Sequence, residues 1–335
     1  MKHNLLIIAL IFISCSLAGC AMVTQDEIDE QNKASQLTSV QFYVPSEADN
    51  KISIIDIRSS KVVGEIETGE KPANLVFSST MRRAYVANQN SSTVGIINTQ
   101  SLKMTKEIEV GPLPHGIAIT PNNKTLYVTT VGDQYVYVIN TEQEKVVNQI
   151  DLGKGAKTNY PYLNGDQLIV SDHENNRVYL VENNKLTKTF ETSSTPRVIK
   201  TNNNGNQLYV ATSEQVEVFD IPNGEKVAQF KVGEGVTDFV ITEDGSKLIS
   251  TNMEGKSITI YDLDNQKIIK KLDNISTPKH ISFNRKQTKA YITLNGTNKV
   301  AVLNMETNEI VEEITVGDAP HGIQIKALPG IGGSC

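Results

Sequence analysis

The sequence predicts an all-β chain: a seven-bladed β-propeller of four-stranded antiparallel blades, its ring closed by a C-terminal strand pairing in the first blade. Three observations predict it. Residues 112–153, PLPHGIAITPNNKTLYVTTVGDQYVYVINTEQEKVVNQIDLG, read as four short strands rich in Val, Ile, Tyr and Thr, separated by turn residues and lacking any helical apolar period. Four strands in about forty residues is the length of one propeller blade. The second-strand anchor at Tyr127 recurs at Tyr43, Tyr85, Ile169, Tyr209, Ile249 and Tyr291, with spacings in chain order of 42, 42, 42, 40, 40 and 42 residues. Finally, each of the four strand types occurs seven times.

The chain begins with Lys2 and His3 before an apolar run, residues 5–13, that is too short to span a bilayer comfortably and has the layout of a secretory signal. Leu17-Ala18-Gly19-Cys20 closes it and resembles the bacterial lipoprotein signal, which implies removal of residues 1–19 and acylation of Cys20. Ordinary cleavage after Ala18 is the alternative, since Ser16 and Ala18 are small. Several acyl chains together give stable anchoring where one does not. Cys15 would leave with the leader, so only Cys20 and Cys335 remain, and an acylated Cys20 leaves no intrachain disulfide. Residues 20–40 are polar and read as a lipid-anchored flexible tether. The propeller is expected over 41–328 and a flexible tail over 329–335. A net charge of −6 and the lack of any Lys/Arg-rich run argue against a nucleic-acid partner.

Within the propeller, first strands are NLVFS (74–78), HGIAI (115–119), NYPYL (159–163), RVIK (197–200), TDFVI (237–241), KHISF (279–283) and HGIQI (321–325). The third strands run from ISIIDI to VAVLNM, and the fourth from KVVGEIETG to IVEEITVG. No first strand precedes Tyr43, while an extra one follows the last full unit. Placing that C-terminal strand beside Tyr43 closes the ring and leaves only short edges exposed.

Tyr85-Val86-Ala87-Asn88, Tyr127-Val128-Thr129-Thr130 and PHGIAITPNNKTLYV resemble the YVTN repeat of YncE-like and surface-layer β-propellers. The resemblance covers roughly residues 41–328 in seven registers. Blade 4 departs most, with Asn159-Tyr160-Pro161 in place of Pro-His-Gly and Leu-Ile-Val-Ser in place of Tyr-Val-Thr-Asn. The resemblance implies a secreted or cell-envelope propeller and says less about what is bound, because this fold hosts many functions.

Several chemistries are excluded. With no Trp there is neither a WD-type signature nor a tryptophan docking motif, and Cys-x-x-Cys-His, His-Glu-x-x-His, Gly-x-Ser-x-Gly, a P-loop and an EF-hand loop are all missing. No cofactor and no catalytic residue is therefore expected. Sites can still form where inner strands meet around the channel. The residue after the recurring Pro should ring one mouth: Ala73, His115, Arg197, Lys279 and His321, with Asn159 or Tyr160 from blade 4 and Thr237 or Asp238 from blade 6. His280 lies one step further along its strand. This set points to an anion or acidic-group site, with His115, Arg197, Lys279 and His321 as donors. The plainer alternative is a solvated rim of strand-start residues. No third ligand accompanies His115 and His321, so no metal site is expected. His173, on a second-to-third-strand loop, is expected to be solvated.

The leading expectation is a non-enzymatic binding or scaffold protein of the cell envelope, attached to the membrane by its N-terminal lipid. Its partner at the mouth would be an envelope protein, a glycan or a small anionic ligand. The rival is a lactonase- or lyase-like enzyme or a metal-binding protein on the same ring, and a third possibility is a purely architectural component. An enzyme would need carboxylates converging with the histidines, and only basic and neutral candidates are evident. If Cys20 carries the anchor, Cys20→Ser moves the protein from the membrane to the soluble fraction on cell fractionation; continued membrane attachment contradicts lipidation.

Overall fold

Each repeat folds into one sheet, so that residues 39–327, which the computed structural model describes, form seven four-stranded antiparallel sheets. The leader, Cys20, residues 20–38 of the tether, Leu328 and the tail with Cys335 lie outside the described residues. Blade 3 is representative: Pro114–Ile119, Thr125–Thr130, Tyr135–Asn140 and Lys145–Asp151 run antiparallel from the channel outwards. The hairpin turns use the expected chemistry, with Gly205 and Gly245 at φ of 68° and 74°, where a side chain would be strained. Blade 4, the most divergent in sequence, still completes its sheet, with Thr158–Asn164 as its inner strand.

The hydrophobic cores lie between the blades. Seven buried clusters form, and each draws on two neighbouring blades; Val136, Val138 and Ile150 of blade 3, for instance, pack against Leu168, Val170 and Tyr179 of blade 4. A blade alone would therefore expose both of its apolar faces. The outermost strands show the opposite signature, largely exposed, with alternating exposure in Lys61–Glu67.

The ring closes in blade 1. The strand Gln324–Lys326 pairs antiparallel with Gln41–Ser46, matching Gln41 to Lys326, Phe42 to Ile325 and Tyr43 to Gln324. Upstream of it the Ser46–Pro320 bridge and the bond from His321 N–H to Pro45 O, at 2.9 Å, extend the seam. The last strand thus does what the missing first strand would have done.

In blades 2 to 7 the inner strand carries a β-bulge just after its first residue: Pro114 pairs with Thr130, but the next pair is Ile117 with Val128. One extra residue is thereby inserted at the channel mouth, which re-aims side chains there.

Closure brings Lys326 into the interior, fully buried, with its Nζ 3.3 Å from Gln41 Oε1. Burial pushes its ammonium down from the ordinary 10.5 to about 8. Between those pH values the unfolded chain holds a proton that the folded chain has released, so stability rises with pH across that window. In thermal melts Lys326→Met should remove this rise, and an unchanged slope would contradict the assignment. Deleting residues 319–335 should abolish cooperative unfolding, because blade 1 loses its inner strand; a normal melt by circular dichroism would contradict the closure.

Candidate functional site

The bulges sort the inner-strand residues into two rings. Pairing registers place Ala73, His115, Asn159, Arg197, Thr237, Lys279 and His321 in equivalent rim positions, one residue past the paired strand start. Asn74, Gly116, Tyr160, Val198, Asp238, His280 and Gly322 follow as the second ring. The sequence left Asn159 or Tyr160, and Thr237 or Asp238, undecided; the first of each pair is the rim residue.

Glycine in Pro-His-Gly is a packing requirement. A Cβ on Gly116 would lie 2.3 Å from Pro161 Cδ and 2.5 Å from Asn159 O, and one on Gly322 would lie 2.8 Å from Ala73 O. Neighbouring inner strands approach that closely. His115 and His321 stand two blades apart with only the small Ala73 between them on the rim, and their rings meet at 5.0 Å between centres and 80° between planes. Their Nε2 atoms are 3.1 Å apart.

Each histidine is held from behind. His321 Nδ1–H donates to the Glu47 carboxylate, and His115 Nδ1 lies 3.4 Å from Asn159 O. His280 Nδ1–H donates to Asp238 Oδ2 at 3.1 Å, and its ring centre is 5.0 Å from that of His321. Lys279 Nζ donates to Glu47 Oε1 at 3.2 Å and Lys200 Nζ to Asp238 Oδ1 at 3.0 Å. The Asn159 side chain takes no part in these contacts; its backbone does.

Burial would raise the Glu47 carboxyl, but the hydrogen bond from His321 and the Lys279 ammonium outweigh it and hold the group well below the usual carboxylate range. Asp238 behaves alike: burial raises it, while Lys200 and the His280 hydrogen bond prevail and lower it. Burial, reinforced by the Lys279 charge, pushes His321 well below 6.5, and burial above all pushes His115 down to about 3. Both imidazoles are neutral at physiological pH. Lys279 is itself lowered by burial, partly offset by Glu47.

These groups line a cavity of about 380 Å³ at the channel mouth, walled by His115, Arg197, Lys279, His280, His321 and Tyr160. Tyr160 and His280 also line a smaller chamber of about 190 Å³ beneath and stand between the two. Burial drives the Tyr160 hydroxyl far up, so it stays protonated. A hollow of about 490 Å³ among the hairpin turns around Asp244 and Gln287 has no comparable convergence of ionisable groups.

Two expectations need correction. The rim is not a set of basic and neutral groups alone, because Glu47 and Asp238 bring carboxylates to it. His173 is not merely solvated: it is half-buried, lines the cavity and has its Nδ1 3.3 Å from Lys157 O. Glu47 and His173 both sit on loops that join a second strand to a third, and these loops open on the same mouth as the inner-strand starts.

The comparison with known proteins fits this ring. Residues 166–328 match the family model described as YNCE-like beta-propeller. Over that stretch, just under half of its length, the chain is YncE-like. Repeats before residue 166 continue the same register, and the closed ring contains them all. No curated protein matches the chain in sequence. Among solved structures, the ring is similar to the periplasmic gluconolactonase PpgL of Pseudomonas aeruginosa (TM-score 0.74, 14% identity, covering 87% of this chain and 100% of that one). It is also similar to a functionally unknown protein of Desulfotomaculum acetoxidans (TM-score 0.73, 14% identity, 86% and 99% covered). Hydrazine synthase of Kuenenia stuttgartiensis gives a TM-score of 0.68 at 17% identity, with 78% and 93% covered. Likeness at such identities concerns the fold alone.

Proposed function

We propose that this YncE-like propeller is a membrane-tethered, extracytoplasmic binding protein whose channel mouth takes a small polar ligand bearing an anionic group. The observation that carries the reading is Arg197. It lines the mouth cavity, its ion pair with the exposed Glu254 is long at 3.4 Å, and its Nε is buried with no hydrogen-bond partner. A buried charged donor left unpaired is costly, and a ligand oxygen would satisfy it. Lys279 and the neutral imidazoles around it add donors and acceptors suited to a carboxylate, phosphate or sugar acid. The cavity volume suits a molecule of that size rather than a protein segment. The anchor at Cys20 rests on the leader and tether composition.

A hydrolytic reading draws on one specific feature, the Glu47–His321 pair. A carboxylate that fixes Nδ1–H leaves Nε2 as a base, which is the orientation a general base needs. Lactone hydrolysis abolished by His321→Ala would replace the binding reading.

Ligand binding should appear as a rise in melting temperature across a panel of small carboxylates, phosphates and sugar acids. At 100 times Kd the stabilisation is about 2.7 kcal/mol. Arg197→Ala should remove the rise for the ligand that gives it. No shift for any compound, or an equal shift in Arg197→Ala, would contradict the proposal.

A further inference from the structure

The three mouth histidines share a constraint that binding of an organic anion does not explain. Each has an acceptor as the nearest neighbour of its Nδ1: the Glu47 carboxylate for His321, with the Lys279 ammonium further off at 3.0 Å, the Asp238 carboxylate for His280 and the Asn159 carbonyl for His115. For His115 and His321 the closer acceptor draws the proton to Nδ1, and Nε2 presents a lone pair. In that tautomer the two Nε2 lone pairs face each other across 3.1 Å. Two lone pairs so placed in a buried site repel. A cation held against both makes the arrangement attractive.

We propose that His115 and His321 form a binding site for one divalent first-row transition ion of the Zn²⁺ or Cu²⁺ class. An ion bound tetrahedrally through bonds of about 2.0–2.1 Å sets neighbouring nitrogens roughly 3.3 Å apart, close to the separation present. Imidazole is the ligand such ions favour, over the oxygen sets that Ca²⁺ and Mg²⁺ require. The Glu47–His321 contact is the outer support typical of a metal-bound histidine, fixing tautomer and ring orientation. Glu47 also compensates Lys279, the nearest opposing charge. Among the described residues no three His, Cys, Asp or Glu side chains are already gathered around one point. The site is thus open: two protein nitrogens, with His280 the nearest further imidazole and the other positions facing the cavity. Open positions mark sites that exchange ligands rather than structural ones.

This inference stands on the imidazole geometry and does not need the ligand proposed above, so metal alone tests it. The full chain, stripped with chelator, is titrated with Cu²⁺ and followed by electron paramagnetic resonance, whose nitrogen couplings separate imidazole from thiolate ligands. One ion per chain at micromolar affinity or tighter, with coupling to at least two imidazole nitrogens, is the expected result. His115→Gln and His321→Gln should each weaken binding by at least about 100-fold and Glu47→Gln by about 10–100-fold, while His173→Gln in the same cavity changes nothing. No saturable binding, binding retained in the His115→Gln/His321→Gln double variant, or a wild-type spectrum with fewer than two imidazole nitrogens overturns the proposal. The wild-type spectrum decides even if a variant fails to fold.

Discussion

The ring depends on one recurring contact, a hydrogen bond from one blade to the backbone carbonyl of the next blade's rim residue. At five of the seven seams the donor is identified: Gly322 N–H to Ala73 O at 3.1 Å, Asn74 Nδ2 to His115 O at 3.2 Å, Thr129 Oγ1 to Asn159 O at 2.6 Å, Thr251 Oγ1 to Lys279 O at 2.5 Å and Thr293 Oγ1 to His321 O at 2.7 Å. The threonines do double duty. Each hydroxyl also accepts from the bulged inner strand of its own blade, at Gly116, Asp238 and His280 N–H respectively. A bulge leaves one N–H without a ladder partner, and a buried orphan is expensive. The threonine of the Tyr-Val-Thr-Asn pattern answers that need and passes its own proton to the next blade.

The site follows from this contact. Because the carbonyls of Ala73, His115, Asn159, Lys279 and His321 are held by the preceding blade, the bulged backbone is fixed there where it turns into the channel. Imidazoles from blades 1, 3 and 7 then meet in one small volume without a loop to position them. Charge is arranged with the same economy. Glu47 answers Lys279 and Asp238 answers Lys200, while Arg197 has only the long pair with the exposed Glu254. A ring read from the sequence as basic holds, in the folded protein, the neutral imidazoles of His115 and His321 between compensated ion pairs.

Most of the architecture was legible in the sequence because a propeller repeats its physics. The tyrosine anchor every 40 or 42 residues, the turn residues and the surplus C-terminal strand were enough to define seven blades and their closure. His115, Arg197, Lys279 and His321 were placed on the rim by the proline that opens their strands, and they do gather there. What the sequence concealed was the bulge. A strand read by strict alternation gives no warning that one extra residue enters after Pro114, and so the choice between Asn159 and Tyr160 stayed open. Glu47 escaped because it belongs to a loop of blade 1, far in sequence from His321, and only closure of the ring sets the two together. Tyr160, which replaces a glycine, shows the limit of motif reading: it occupies the channel between two chambers.

The most direct test of this account is the unfolding free energy of Thr129→Val, a nearly isosteric change that removes only the hydroxyl at the seam of blades 3 and 4. If the seam contact governs the ring, denaturant unfolding should show a loss of about 1–3 kcal/mol, as expected for stranding the Gly116 N–H and the Asn159 carbonyl. A variant as stable as the wild type would contradict it.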